Sequence, residues 1–236
     1  MNKFQFSIII LLIIFTNFFL FFLNSENGNK LIKKFDNLLI AKDINSKNFE
    51  INDELFILLR EGKNTFYIRH APKPKNRSAG LQRLSLQRNF INNEMVKKSS
   101  CLSDIGKAEA YFIGKILSDA KIPIGEVYSS PLCRAVETAE IAFNKIDYIE
   151  DFLLYDGIIN DKLKKSNLVK FKNLFYSIPK NKNKIISAHG HRLKKIGIDY
   201  GTDESGIIIY NHDLNKVIYV AYNLNDLAKM YYHLED

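Results

Sequence analysis

Two apolar runs of strand type, Phe66-Tyr67-Ile68 and Ile185-Ile186-Ser187-Ala188, each close on a histidine, the first through Arg69-His70 and the second directly at His189. In an open α/β sheet the carboxyl ends of the strands share one edge, and ligands sit in the crevice outside it. Both imidazoles are therefore expected at that edge, distant along the chain and neighbours in space. A third short run, Val127-Tyr128, leads into Ser129-Ser130-Pro131-Leu132-Cys133-Arg134-Ala135, which delivers a second arginine beside an expected helix start.

The segments between these runs alternate in period. Residues 53–60 have helical spacing with Gly62 as a stop, and 65–69 read as the first strand. Ser103 is an N-cap for a helix whose apolar face is Ile105, Ala108, Tyr111, Phe112 and Ile116. A strand at 126–129, a helix at 131–143 and a short apolar segment at Ile149 follow. Then come a helix at 162–176, a strand at 184–189 and a short helix or turn at 191–198. A hairpin of 206–210 with 217–222 precedes a last helix from Leu224. Strands alternating with helices predict an α/β fold: a three-layer α/β/α sandwich with a mostly parallel sheet and an antiparallel edge, spanning 49–236.

Residues 7–23 are almost uninterrupted Ile, Leu and Phe, with Lys3 the only charge before them. Such a run is long enough to cross or nearly cross a bilayer, and no polar face exists at any helical period. Residues 1–23 are thus expected to be a signal-anchor or a signal peptide, with 24–48 a polar linker. Lys3 favours a cytoplasmic N-terminus, so the domain is expected outside the cytoplasm, membrane-tethered, or secreted if 1–25 are cleaved. Leu23-Asn24-Ser25 lacks the usual pair of small residues for cleavage, which favours retention.

The formal charge is +8, all but one unit of it downstream of that run. This suits anionic ligands and anionic lipid head groups. The lysines are scattered rather than interleaved with aromatics on a definable face, so no nucleic-acid partner is expected. Two cysteines, Cys101 and Cys133, are too few for a disulfide scaffold and lack metal-ligand spacing; they read as buried small hydrophobes, with pairing left open. Between His70 and the Ser103 helix lies a long loop carrying Lys73, Lys75, Arg77, Arg83 and Arg88, placed to reach an anionic substrate, with Arg77 the candidate contact.

If His70, His189, Arg69 and Arg134 converge, two guanidiniums can hold a phosphate by bidentate, charge-assisted hydrogen bonds. The start of the 131–143 helix adds a positive dipole end. Among these cations a histidine stays neutral, with a ring nitrogen free to attack phosphorus.

These residues carry a resemblance. Ile68-Arg69-His70-Ala71, Ser129 through Ala139, Ala188-His189-Gly190 and Leu102-Ser103-Asp104-Ile105-Gly106-Lys107-Ala108-Glu109-Ala110 resemble, in order, the signature segments of the histidine phosphatase superfamily, the phosphoglycerate-mutase-like fold, in its compact branch. The last of them matches a helix opening "L-[ST]-x-x-G-x-x-[QE]-A". The resemblance implies a phosphorylated nucleophile at His70, with Arg69, Arg134 and His189 completing the phosphate pocket and no metal or organic cofactor. It also implies a Glu or Asp general acid: Asp156 is the first choice, Asp151 and Glu204 its rivals. Ala71 departs from the frequent "R-H-G" triplet and is acceptable if its φ is negative.

The competing readings are plain ones. A strand-terminal histidine alone is more often structural, His189-Gly190-His191 lacks a third metal ligand, and Arg192, Lys194 and Lys195 can be solvated surface. The expected activity is hydrolysis of a phosphomonoester or a phosphorylated protein residue. A non-catalytic membrane-tethered phospho-ligand-binding module is the alternative, and a phosphomutase a weaker one.

Overall fold

The structure, a computed structural model, describes residues 50–74, 101–155, 161–190 and 192–235. These belong to the unit Ser46–Asp236. The elements run α1 (Asp53–Arg60), β1 (Asn64–Arg69), α2 (Asp104–Asp119), β2 (Ile124–Ser129), α3 (Cys133–Phe143), β3 (Tyr148–Ile149), α4 (Asp161–Tyr176), β4 (Asn183–Ala188), β5 (Ile207–Asn211), β6 (Lys216–Ala221) and α5 (Leu224–Glu235). Short 3₁₀ turns lie at Asp151–Leu153 and Leu193–Ile196.

The six strands form one sheet in the order β3-β2-β4-β1-β5-β6. β1, β2, β3 and β4 are mutually parallel, whereas β5 and β6 run antiparallel at the far edge. This is the expected mixed α/β sheet. Central β4 is buried along its whole length, as a parallel strand covered on both faces must be. Alternation then divides the core. Tyr67, Ile186, Ala188, Ile208 and Val220 pack with Phe171 and Phe175 of α4 on one face. On the other, Ser187 Oγ donates to the Ala135 carbonyl of α3 at 2.8 Å, and α2 packs against both α3 and α5.

Boundaries follow local chemistry. Ser103 caps α2 as expected, its hydroxyl accepting from Gly106 N at 3.1 Å. α3 begins two residues later than expected, at Cys133, with Leu132 as an N-cap that offers no side-chain acceptor. Two sequence expectations are corrected. Cys101 and Cys133 are joined in a disulfide with Cα atoms 4.7 Å apart, because the starts of α2 and α3 lie side by side at one sheet edge. Arg192 is buried, its Nη1 donating to the Phe152 carbonyl and its guanidinium lying 5.0 Å from the Phe171 ring centroid. Lys184, also buried, donates to the Leu174 and Ser177 carbonyls, and burial pulls its pKa down to about 8.

Among the described residues no helix is long and apolar enough to cross a membrane. The 7–23 run, the 24–48 linker and most of the basic loop, with Arg77, lie outside the described residues, as do Asp156 and His191.

Candidate active site

The strand register builds the site. β1 and β4 pair with Arg69 opposite Ala188, so the next residues, His70 and His189, leave the sheet side by side. His70 N donates to Ala188 O at 3.0 Å, and the two ring centroids lie 5.3 Å apart at 62°. β2 pairs with β4 through Ser129 and Ser187, which sets Ser130 and the start of α3 at the same edge. Arg134, in the first turn of α3, reaches between the rings.

Its Nε donates to His70 Nε2 at 2.9 Å, and its Nη2 lies 3.3 Å from His189 Nδ1. His70 Nδ1 is 2.9 Å from the Ala71 carbonyl, which can only accept. The hydrogen bonds therefore assign His70 a proton on Nδ1 and a lone pair on Nε2, the atom facing Arg134. His189 is held likewise, with Nδ1 toward Arg134 and Nε2 2.8 Å from Ser130 Oγ. Burial, then the Arg134 charge, holds both histidines well below their ordinary range, so both are neutral near pH 7. Ala71 is absent from the positive-φ residues, and its amide donates to Thr138 Oγ1 at 3.0 Å, which ties the strand end to α3.

Arg69 lies against Gly190, where an added Cβ would sit 3.2 Å from its Cζ, so glycine permits the guanidinium to rest on that backbone. Arg69 Nη1 donates to Thr202 O at 2.5 Å. Buried Arg69 Nε and Arg134 Nη1 have no hydrogen-bond partner among the described residues. Unmatched buried donors are uncommon, and two guanidinium donors at one edge have the chemistry to take the oxygens of an oxyanion. Arg134, pulled by burial to about 10, remains a cation near pH 7.

Four expected residues, Arg69, His70, Arg134 and His189, are thus brought together. Asp151 is not among them: it is exposed in a 3₁₀ turn, where partial desolvation raises its pKa and Lys170 supplies an opposing neighbouring charge. Glu204, partly exposed, acts electrostatically on Arg134. Sequence reading missed Tyr155, whose ring centroid is 6.1 Å from that of His189 and whose only signal was adjacency to Asp156.

Fold and site together define an α/β protein that gathers two neutral histidines and two arginines at the carboxyl edge of its parallel strands. The model of the histidine phosphatase superfamily, branch 1, matches residues 93–164, the stretch containing the α2 motif and Arg134. That match covers part of the chain, and within it and at the neighbouring sheet edge lie the signature residues, so the chain is similar to the histidine phosphatase superfamily. No curated protein matches. Among solved structures it is similar to a putative phosphohistidine phosphatase SixA from Agrobacterium tumefaciens, at 20% identity, covering 67% of this chain and 97% of that one, TM-score 0.42. It is also similar to the protein histidine phosphatase SixA complexed with tungstate, at 14%, covering 67% and 96%, TM-score 0.44. A third is a putative α-ribazole-5′-P phosphatase from Escherichia coli, at 12%, covering 69% and 96%, TM-score 0.45.

Proposed function

We propose that this protein is a phosphohydrolase that cleaves phosphomonoesters, or phosphoryl groups on protein residues, through a phosphohistidine on His70. The observation that carries this reading is the unprotonated His70 Nε2 held by Arg134 beside two guanidinium donors that have no partner among the described residues.

The chemistry follows from those atoms. Arg69 and Arg134 take the phosphate oxygens, and Arg134 Nε leaves His70 Nε2 for the incoming dianion. The His70 lone pair forms the N–P bond as the ester P–O bond breaks, and the leaving oxygen takes a proton from a carboxylic acid, assigned to Asp156. Burial and then the Arg134 charge hold His189 neutral; a bound dianion offsets the charge and supplies the buried ring with an anionic partner, so that ring can bind a proton and hydrogen-bond a transferring oxygen. Water, deprotonated by the same carboxylate, then attacks phosphorus. The P–N bond breaks, releasing phosphate and returning neutral His70.

Turnover of p-nitrophenyl phosphate by the wild type, abolished in His70→Ala, is the expected result. Equal activity in both proteins would defeat the enzyme reading, and tight phosphate binding without turnover would favour the sensor alternative. A second part of the proposal is that residues 7–23 tether the domain outside the cytoplasm. The Cys101–Cys133 disulfide supports it, since such bonds persist in oxidising compartments. Recovery of the protein in a cytosolic fraction with free thiols would count against that placement.

A further inference from the structure

Glu109 is a buried carboxylate that the proposed chemistry does not use. It is 5% exposed and forms no ion pair among the described residues, an arrangement that costs folding energy unless something offsets it. Its Oε2 accepts from Ser205 Oγ at 2.5 Å. Ser205 is itself unusual, with a φ of 65°, in the left-handed region where side chains other than Gly or Asn are costly. It sits in a turn closed by Gly206 N donating to Asp203 O at 3.0 Å.

That turn grips the end of β1. Ser205 N is shared between the Arg69 and His70 carbonyls, each at 3.2 Å, and Arg69 N donates to Gly206 O at 3.0 Å. Two residues beyond His70, the chain is held at Pro72 by the start of α2. Ser103 N donates to Pro72 O at 2.9 Å, and Gly106 lies so close to that residue that an added Cβ would sit 2.0 Å from the Pro72 carbonyl oxygen. Gly106 and Glu109 are three residues apart on α2, hence on neighbouring turns of one face.

We propose that Glu109 is a positioning residue for His70: through the Ser205 hydroxyl it holds the 203–206 turn against the Arg69–His70 backbone, so that α2 clamps the chain both at the nucleophile and two residues beyond it. This rests on the phosphatase reading and assigns the Gly and Glu of the α2 motif a shared task. A nucleophile released from that clamp samples geometries away from in-line attack, while the arginines still bind phosphate. The clamp therefore acts on the chemical step.

The test is the rate constant for phosphorylation of His70 in the full-length protein. It is measured by rapid quench into alkali with ³²P-labelled acetyl phosphate, a quantity independent of the folded fraction. Glu109→Ala and Ser205→Gly are each expected to slow it about tenfold, with no further loss in the double variant. Glu109→Gln, which keeps an acceptor for the hydroxyl, is expected within about threefold of wild type. Glycine suits the positive φ, so Ser205→Gly serves even if Glu109→Ala does not fold. An unchanged rate constant in Ser205→Gly overturns the clamp, as does a Glu109→Gln as slow as Glu109→Ala, or losses that multiply in the double variant. Absence of label on the wild type overturns the phosphatase reading itself and the clamp with it; label with unaltered rates overturns the clamp alone.

Discussion

Replacing Arg134 by methionine is expected to make the protein more stable and nearly inactive. Arg134 is 3% exposed and hydrogen-bonds two neutral imidazoles rather than a carboxylate. Burial pulls its pKa about 2.5 units below the ordinary guanidinium value, to about 10. At about 1.4 kcal/mol per unit, holding the cation costs folding roughly 3 kcal/mol. Because the folded pKa lies below the unfolded one, this penalty is fully present below pH 10 and disappears only as pH rises toward the ordinary guanidinium range. Methionine removes it but leaves His70 Nε2 and His189 Nδ1 without a donor, at about 1 kcal/mol each. The net is about 1 kcal/mol of stabilisation, or about 2–4 °C in Tm for a domain of this size. Two charge-assisted hydrogen bonds to the transferring phosphoryl group, at about 1.5–3 kcal/mol each, correspond to a loss of about 10²–10⁴ in kcat/KM. Calorimetry and steady-state kinetics on phosphomonoesters read both quantities. Added phosphate should raise the Tm of wild type and not of the variant. A Tm several degrees below wild type, or retained activity, would refute the view that Arg134 is kept for the anion at the expense of stability.

Further outcomes follow from the same geometry. His70 and His189 are held neutral below pH 6.5, while the unfolded chain takes up their protons; stability should therefore fall as pH drops through 6.5, by up to about 1.4 kcal/mol per pH unit per histidine. Thermal melts from pH 8 to 5 check this, with a shallower fall expected in His70→Asn. Reducing the Cys101–Cys133 disulfide, which closes a 32-residue separation, or Cys133→Ser, should cost about 3–4 kcal/mol, read by denaturant unfolding with and without reductant. Gly106→Ala forces a Cβ to within 2.0 Å of the Pro72 carbonyl, so α2 must shift; a loss of at least about 2 kcal/mol and impaired turnover are expected from melts and kinetics.

Much of this was legible because period is local. Histidines that end two parallel strands must emerge together once Arg69 faces Ala188; which strands pair is a tertiary fact that the apolar runs alone do not give. The Cys101–Cys133 pair was not legible, since bonding depends on how closely the starts of α2 and α3 approach, a tertiary fact. Burial of Lys184 and Arg192 was hidden for a related reason: each satisfies its charge with backbone carbonyls, which leave no mark in sequence. Glu109 could be seen only as a motif letter. Its partner, Ser205, stands 96 residues away and is recognised by a backbone angle that composition does not encode.

The central claim is that His70 carries the phosphoryl group. Incubating the wild type with a ³²P-labelled phosphomonoester and quenching in alkali should give label on the protein that is stable in base, lost in acid and mapped to the peptide containing His70. Label that persists in His70→Asn, or that maps to another residue, would contradict the account.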